Sequence, residues 1–256
     1  MNKNRFNLMG EFQFISAEEQ PGGISLSKDI GVIAAVAMSK NYSCSRSRII
    51  DMLWSDRCEG QGRASLRHSL WLLKKVFNKS SADLLQIDRK RVCLNPELCS
   101  IDVSDFLELS ESNRRVDLEQ AISIYRGELL EGLVIRDIVW DEWLGIERER
   151  LKLKYAENLS TLSEYYLAEH DVKNLIHTGR RLIEHDHLCE EGHRALMGGY
   201  TLAHQKSLAL KQYERYREAI QAELNSNPEP EIQELYERIK NGEVFPNPGT
   251  TACWIR

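Results

Sequence analysis

The residues that most clearly predict chemistry lie in the segment GRASLRHSLWLLKKVF, residues 62–77. At 100° per residue, a helix here places its apolar side chains in one narrow stripe, which consists of Leu66, Leu70, Leu73 and Phe77. The opposite arc is cationic and includes one aromatic ring; its members are Arg63, Arg67, His68, Trp71, Lys74 and Lys75. We therefore expect a helix that buries the stripe and exposes the cationic arc.

The charges on this arc are nearly all of one sign. No acidic residue lies between Glu59 and Asp83, so ion pairs between residues four apart, which often stabilise exposed helices, are not expected within the segment. A charged arc is often only a solvated face. The excess of positive charge favours a polyanionic partner over that alternative, because a polyanion is attracted to clustered cations.

The first half of the segment carries the side chains expected to reach DNA bases. Arg63 and Arg67 lie one turn apart near the helix N-terminus, and arginine can pair with guanine O6 and N7 through two hydrogen bonds. Ser65 and His68 are expected to contact bases or phosphates. This composition is typical of a helix that enters the major groove of double-stranded DNA.

Further cations extend the expected DNA contact. Lys74 and Lys75 are expected to contact backbone phosphates, and Trp71 either contacts DNA or packs against a neighbouring hairpin or domain. That hairpin is predicted from two strand-like segments, LLQID and VCLNP. The cations at its tip are Arg89, Lys90 and Arg91. They suit a minor-groove or phosphate contact, and the alternative is a solvated turn.

The elements before the hairpin predict the fold that positions these cations. Alternating apolar residues predict strand structure over 5–15, interrupted at Gly10, and a second short strand at 24–26. Ser27 is expected to cap a helix at about 28–39, and Ser45 a helix that buries Ile49, Leu53 and Trp54. Two strands, three helices and a hairpin are the layout of a winged helix-turn-helix.

From residue 102 onward the pattern is helical only. Apolar residues recur at helical spacing in seven segments, near 103–110, 117–131, 139–168, 171–185, 188–203, 206–224 and 229–241. HDVKNLIHTGRRLIEHD begins at His170 and HQKSLALKQYERYREAI at His204, a spacing of 34 residues. This is the tetratricopeptide period, although the usual turn proline is absent. The predicted fold class is therefore mainly α, with a winged helix-turn-helix and small β-sheets followed by an all-α, tetratricopeptide-like domain.

Length and charge agree with two domains. The chain has 256 residues and a net charge of −5, which divides into +5 for residues 1–100 and −10 for 101–256. We predict a DNA-binding domain at 1–101, a helical domain at 102–242 and a disordered tail at 243–256. The six scattered cysteines indicate a reduced protein. No apolar run has the length of a membrane span and no signal peptide is evident, so a cytoplasmic location without membrane contact is expected.

The main alternative to a DNA-binding surface is a metal-binding site in the segment EHDHLCEEGH. Five of its residues, His185, His187, Cys189, Glu190 and His193, are considered as metal ligands. Glu190 and His193 have the spacing of a carboxylate-bridged site. The segment lies at a predicted turn between helices, where His and Glu are common surface residues, so no metal site is predicted. The chain lacks the glycine-rich loops of nucleotide-binding proteins and the nucleophile elbow of esterases. We therefore expect neither an enzyme nor a cofactor.

Specific motifs give the chain a resemblance to a known family. LWSDRCEGQGRASLRHSLWLLKKVF resembles the region of Streptomyces antibiotic regulatory proteins in which L-W-x-D-x-P precedes an A-R-x-[ST]-L-R helix. IYRGELLEGL, WDEWLGIERERL and ELNSNPEPEIQELYERI resemble motifs of the bacterial transcriptional activator domain that follows it. Together these motifs cover roughly residues 6–242. Cys58 stands where the family prefers proline, and the hairpin has RKR where glycines and an aromatic residue are usual.

The resemblance implies a transcriptional regulator. It would bind double-stranded DNA through the winged helix, often as a homodimer on repeated sites, and assist RNA polymerase. Two alternatives remain open. The chain could be a tetratricopeptide-like scaffold for protein interactions whose front domain no longer binds specific DNA, or the front module of a longer signalling protein.

Overall fold

The computed structural model describes residues 3–20, 23–77 and 83–243. Backbone contacts divide the chain into two compact units. The first unit contains Met1–Ser112 and Gln120–Leu153, and the second contains Asn113–Glu119 and Lys154–Arg256. The first unit thus includes residues on both sides of the predicted boundary at 101. Apart from residue 243, the predicted tail lies outside the described residues.

The first unit opens with a three-stranded sheet. Strand β1 (Asn4–Asn7) pairs antiparallel with β2 (Gln13–Ile15) and parallel with β6 (Cys99–Ile101). The predicted strand at 24–26 is wrong, since these residues form no strand. Both edges of β1 are already occupied, and the side chain of Leu26 points largely to solvent, with 54% of its surface exposed.

Three helices come next, as predicted. Helix α1 spans Ser27–Ala37, α2 spans Arg46–Leu53 and α3 spans Glu59–Phe77. Ser45 caps α2 by accepting a hydrogen bond from Arg48 N at 3.2 Å, which confirms that prediction. The predicted cap of α1 is wrong, because Ser27 is already helical and Leu26 holds the cap position without a side-chain bond.

The apolar stripe of α3 is buried as the spacing predicts. Leu66, Leu70, Leu73 and Phe77 are all shielded from solvent. The Phe77 ring packs edge-on against Phe6 and Phe14, with ring centroids 5.8 and 5.0 Å away. Since Phe6 and Phe14 come from β1 and β2, this aromatic cluster joins the first sheet to α3 and fixes the rotation of the helix about its axis.

A second sheet carries the predicted hairpin. Strand β4 (Leu85–Ile87) and strand β5 (Arg91–Leu94) pair antiparallel, which confirms the hairpin. A third strand, β3 (Ser43–Ser45), pairs with the other edge of β5 and was not predicted. Because β3 has only three residues and directly precedes α2, its sequence is too short to show an alternating pattern.

A buried carboxylate ties the first sheet to the next helix of the chain. Helix α4 (Asp102–Ser110) begins with Asp102, whose side chain accepts hydrogen bonds from Leu8 N at 2.8 Å and Met9 N at 3.0 Å. It also accepts from Val103 N and from Arg126 Nη2, at 2.8 and 2.9 Å. Burial raises the pKa of the Asp102 carboxyl, although these hydrogen bonds oppose the shift.

The predicted helix at 117–131 ends early. Helix α5 spans Arg115–Ile124, and the residues after it extend along the end of β1. Leu130 N donates to Leu8 O at 2.7 Å and Gly10 N donates to Glu128 O at 2.8 Å. These backbone groups are therefore used in sheet-like bonds rather than helical ones, and Leu130 adopts a φ of 52°.

The turn between α2 and α3 is held by a residue far along the chain. Asp137 accepts hydrogen bonds from Ser55 N at 2.8 Å and from Ser55 Oγ at 2.9 Å. Ile135 is buried beside Gly31 of α1 and Leu53 of α2. The segment before α6 (Ile138–Ala168) thus supports the helix-turn-helix from outside the predicted DNA-binding domain.

The second unit is entirely helical in its described part. Helices α7 (Val172–His185), α8 (Glu190–Leu202), α9 (Lys206–Leu224) and α10 (Pro230–Lys240) pack in sequence order. The 34-residue repeat is confirmed by its turns, since His170 and His204 both adopt left-handed φ values of 56° and 59°. In both turns the next residue donates to a carbonyl five positions earlier, which is the Schellman pattern.

Two glycines let the first helices of the repeat approach each other closely. A Cβ at Gly192 would lie 2.9 Å from Leu182 Cβ, and one at Gly179 would lie 3.0 Å from Gly192 O. Farther along, α8, α9 and α10 share an apolar core; its buried members are Met197, Ala209, Tyr213, Tyr216, Ile220, Ile232 and Ile239. In the part of the chain that the structure describes, no helix combines the length and the apolar character needed to cross a membrane.

Candidate nucleic-acid interface

Helix α3 is positioned by close packing on α2. A Cβ at Gly62 would lie 2.6 Å from Ile50 Cγ2, so only glycine allows the two helices to approach this closely. On the side of α3 away from the core, the six predicted arc residues are all exposed, namely Arg63, Arg67, His68, Trp71, Lys74 and Lys75. Ser65 is partly exposed at the edge of this arc. The helix therefore brings together seven of the ten predicted DNA-binding residues.

Arg63 forms an ion pair within the helix, although no such pair was expected. The helix begins at Glu59, three residues before the predicted segment, and the Glu59 carboxylate pairs with the Arg63 guanidinium. That expectation was wrong because the helix start was placed too late. Both side chains are largely exposed, so the pair contributes little to stability and can exchange for another anion.

Ser65 lies beside Arg57, a cation that is not among the predicted DNA-binding residues. Arg57 Nη1, from the turn before α3, donates to Ser65 Oγ at 2.7 Å. Arg67 Nε makes only a long contact of 3.4 Å with Arg63 O. The Arg67 side chain is thus weakly held by the protein, and Arg57 adds a third guanidinium to the first half of the helix.

Trp71 is exposed in the middle of the arc. Its surface is 59% accessible, so it does not pack into the core. The His68 ring stacks on it with centroids 6.1 Å apart, and Lys75 Nζ lies 5.6 Å from the Trp71 centroid. An exposed aromatic ring flanked by two basic side chains is able to contact a sugar or a base while the cations meet phosphates.

A shallow groove of about 550 Å³ runs beside this helix. It is lined in part by Lys28, Asp29, Trp54 and His68. Asp29 of α1 is buried and forms a hydrogen bond with Ser69 of α3, and its burial raises the pKa of the carboxyl. Lys28 Nζ donates to Leu53 O at 2.7 Å. These contacts hold α1 against α3, so we interpret the groove as part of the helix support.

The hairpin tip is shaped by one aspartate. Asp88 Oδ1 accepts hydrogen bonds from Lys90 N at 2.6 Å and from Arg91 N at 2.7 Å. These two N–H groups hold the pKa of the Asp88 carboxyl below its ordinary value. Arg89, Lys90 and Arg91 are all exposed. Arg91 is also tied to β3, because its Nε donates to Ser43 Oγ at 2.7 Å.

The N-terminus of α2 lies next to this tip. Arg46 N donates to Lys90 O at 2.9 Å, and Arg46 Nη1 approaches Asp88 O at 3.3 Å. Arg48 lies on the exposed surface of the same turn. The sequence signal for this group is the run SRSR before an apolar segment, which was interpreted only as a helix start.

In the candidate metal-binding segment EHDHLCEEGH, His193 and Glu190 form hydrogen bonds to other residues of the protein. His193 Nδ1 lies 2.9 Å from Gln212 Nε2, and its Nε2 lies 2.9 Å from His187 O. Glu190 accepts a hydrogen bond from Tyr216 at 3.2 Å. Among the residues that the structure describes, no group of three or more His, Cys, Asp or Glu side chains is arranged to hold a metal ion.

Comparisons with known proteins agree with this architecture. Residues 106–240 match the family described as the bacterial transcriptional activator domain. EmbR of Mycobacterium tuberculosis, solved in complex with a low-affinity phosphopeptide, has a similar fold with a TM-score of 0.74 and 20% sequence identity. The match covers 96% of this chain and 67% of the EmbR chain. No curated protein sequence matches the chain significantly.

The family match covers more than half of the chain. It lies after a winged helix-turn-helix with small sheets, as the motifs predict. It indicates a regulator of transcription. The chain therefore belongs to the bacterial transcriptional activator domain family, as a regulator similar to the Streptomyces antibiotic regulatory proteins.

Proposed function

We propose that this protein is a sequence-specific DNA-binding activator of transcription. The observation that carries the proposal is the cationic arc of α3, which is exposed while the opposite stripe is buried. In a winged helix-turn-helix, the helix in this position enters the major groove. Its N-terminal half reads bases and its remaining cations contact phosphates.

Individual roles depend on position along α3. Arg63 and Arg67 read guanine through paired hydrogen bonds, with Ser65 and His68 adding base or phosphate contacts. The weak internal contacts of Arg67 support this role, since little must be broken before it binds. Farther along the helix, Lys74, Lys75 and the exposed ring of Trp71 contact the sugar-phosphate backbone.

A second set of phosphate contacts comes from the hairpin and α2. Arg89 and Lys90 project from the tip, and Arg46 and Arg48 lie at the adjoining helix start. Arg91 supports the tip through its bonds to Ser43 and keeps one further donor group available for DNA. Contacts of this kind fix the position of the protein on the duplex without reading sequence.

The activator domain supplies the remaining interactions. Its family is defined by transcriptional activation, which supports contact with RNA polymerase. Tetratricopeptide-like helices expose a surface suited to protein partners. We propose that the protein acts as a homodimer on repeated sites and recruits polymerase through these helices.

The test measures binding of the full chain to promoter DNA and to a scrambled duplex across a salt series. We expect log K to fall with log salt by about 0.9 for each phosphate neutralised. Arg67→Ala should weaken binding to the promoter by about 5- to 150-fold, which corresponds to the loss of a base contact of about 1–3 kcal/mol. Binding to the scrambled duplex should change little.

The matched control is Arg215→Ala, which removes an exposed arginine from α9 in the second unit. It should leave both affinities unchanged. Equal losses on the two duplexes for Arg67→Ala would reject base reading by this residue. Failure of the full chain to bind either duplex would reject the proposal and favour the protein-interaction scaffold.

A further inference from the structure

Helix α6 carries a row of exposed apolar side chains within the first unit. Val139, Ile146 and Leu153 are spaced seven residues apart, and their surfaces are 37%, 68% and 56% exposed. Glu142 and Arg150 lie between them on the same side. By helical geometry all five side chains fall within about 40° of the Ile146 direction. We call this set the α6 stripe; it is about 21 Å long at 1.5 Å per residue.

The stripe is not the face that α6 uses to pack. Trp140, Leu144 and Leu151 are buried, and they point to the opposite side of the helix. Three apolar residues in one row, with Glu142 and Arg150 between them, suit a face that packs against another helix. Their spacing of seven is the repeat with which two helices pack along a shared seam.

On each side of Ile146 the stripe has a charged residue four positions away and an apolar residue seven positions away. Glu142 precedes it by four residues and Arg150 follows it by four; Val139 precedes it by seven and Leu153 follows it by seven. A two-fold axis at Ile146 would therefore place Val139 against Leu153 of a second copy, and Glu142 against Arg150 of that copy. Both pairs would form twice, as a two-fold interface requires.

The charges also decide the direction of pairing. Parallel helices in register would place Glu142 against Glu142 and Arg150 against Arg150, which repel each other. The antiparallel arrangement replaces both repulsions by attractions. Arg150 pairs with Glu147 in its own chain, but this contact joins neighbours on one helix and leaves about half of the arginine side chain exposed. It can therefore also meet a second carboxylate.

We infer that the α6 stripe is the surface through which two copies of this chain associate, with their α6 helices antiparallel about Ile146. This inference deepens the proposed function, since it gives the homodimer its contact surface. Its test needs no DNA, so a failure of the dimer and a failure of DNA binding are separate results.

The first experiment is sedimentation velocity of the full chain over a range of concentrations. The wild-type protein should show a monomer–dimer equilibrium, and Ile146→Ser should weaken association at least tenfold, because a central apolar anchor is lost from both copies. Leu224→Ser is the matched control, since Leu224 is 60% exposed on α9. It should leave association unchanged. A monomeric wild-type protein at the highest soluble concentration would overturn the inference.

The second experiment tests the antiparallel register by charge exchange. Glu142→Arg and Arg150→Glu should each weaken association, because each variant places like charges together twice. The double variant should recover most of the wild-type affinity. If the double variant is as weak as the singles, the proposed register is wrong. If the wild type is a monomer while Ile146→Ser abolishes binding to purified RNA polymerase, the stripe binds polymerase and the dimer is rejected.

Discussion

Replacing Asp102 by alanine should strongly destabilise the first unit. The Asp102 side chain accepts hydrogen bonds from Leu8 N and Met9 N, and both residues are shielded from solvent. The substitution removes the acceptor and leaves two buried N–H groups without a partner. Val103 N, in the first turn of α4, also loses its bond to the carboxylate.

The size of the loss can be worked out from these contacts. Each buried N–H group left unpaired costs about 1–3 kcal/mol, so the two together cost about 2–6 kcal/mol. The ion pair with Arg126 adds little, because that arginine is 46% exposed. Removing a carboxylate that is itself unfavourable to bury offsets part of the loss. We expect a net loss of about 2–5 kcal/mol, or a melting temperature lower by about 6–15 °C for a unit of this size.

Tryptophan fluorescence can follow this melting specifically. Four of the five tryptophans, Trp54, Trp71, Trp140 and Trp143, lie in the first unit, and the other is Trp254. Asp105→Ala is the control, since Asp105 lies on the same helix with an exposed side chain. It should cost less than about 1 kcal/mol, the usual effect of an acidic residue near a helix N-terminus. A melting temperature for Asp102→Ala equal to that of the control would refute the reasoning.

Two further predictions concern the core of each unit. Leu70→Ala should lower the free energy of unfolding by about 2–5 kcal/mol, because it leaves a cavity in the buried stripe. It should also abolish both specific and non-specific DNA binding. A melting temperature equal to that of the wild type would mean that the helix phase is wrong. In the second unit, burial lowers the pKa of His193, so its stabilising contribution is present above the unfolded pKa and is lost as the pH falls through the lowered folded value. His193→Gln should therefore reduce the loss of stability between pH 7 and 5, as measured by circular dichroism. His187→Gln should have the opposite effect, because Glu223 raises the pKa of His187; equal pH profiles for both variants would contradict the assignment.

Local periodicity was sufficient to predict the central helix and its two faces. The stripe of α3 is buried and its cationic arc exposed, because a spacing of three and four residues determines which side chains share a face. The hairpin of β4 and β5 was predicted from two neighbouring strand-like segments, and the repeat from two similar segments that begin 34 residues apart. In each case the pattern can be recognised directly in the sequence.

Features that depend on distant contacts could not be predicted in this way. Residues 125–131 looked helical but extend beside β1, because the backbone of Leu8 and Gly10 offers them hydrogen bonds. The strand β3 forms only because β5 provides an edge for it. Similarly, nothing in the local sequence indicates that Asp137 binds Ser55 and holds the turn of the helix-turn-helix.

The candidate site shows the same division. The sequence by itself determined that α3 has a cationic side and a buried side, since both depend only on helical geometry and residue type. Only the tertiary structure decided that Arg57 meets Ser65 and that Arg46 lies beside the hairpin tip. It also decided which face of α6 stays exposed. These outcomes depend on which elements pack together, and packing brings together residues whose separation along the chain carries no periodic signal.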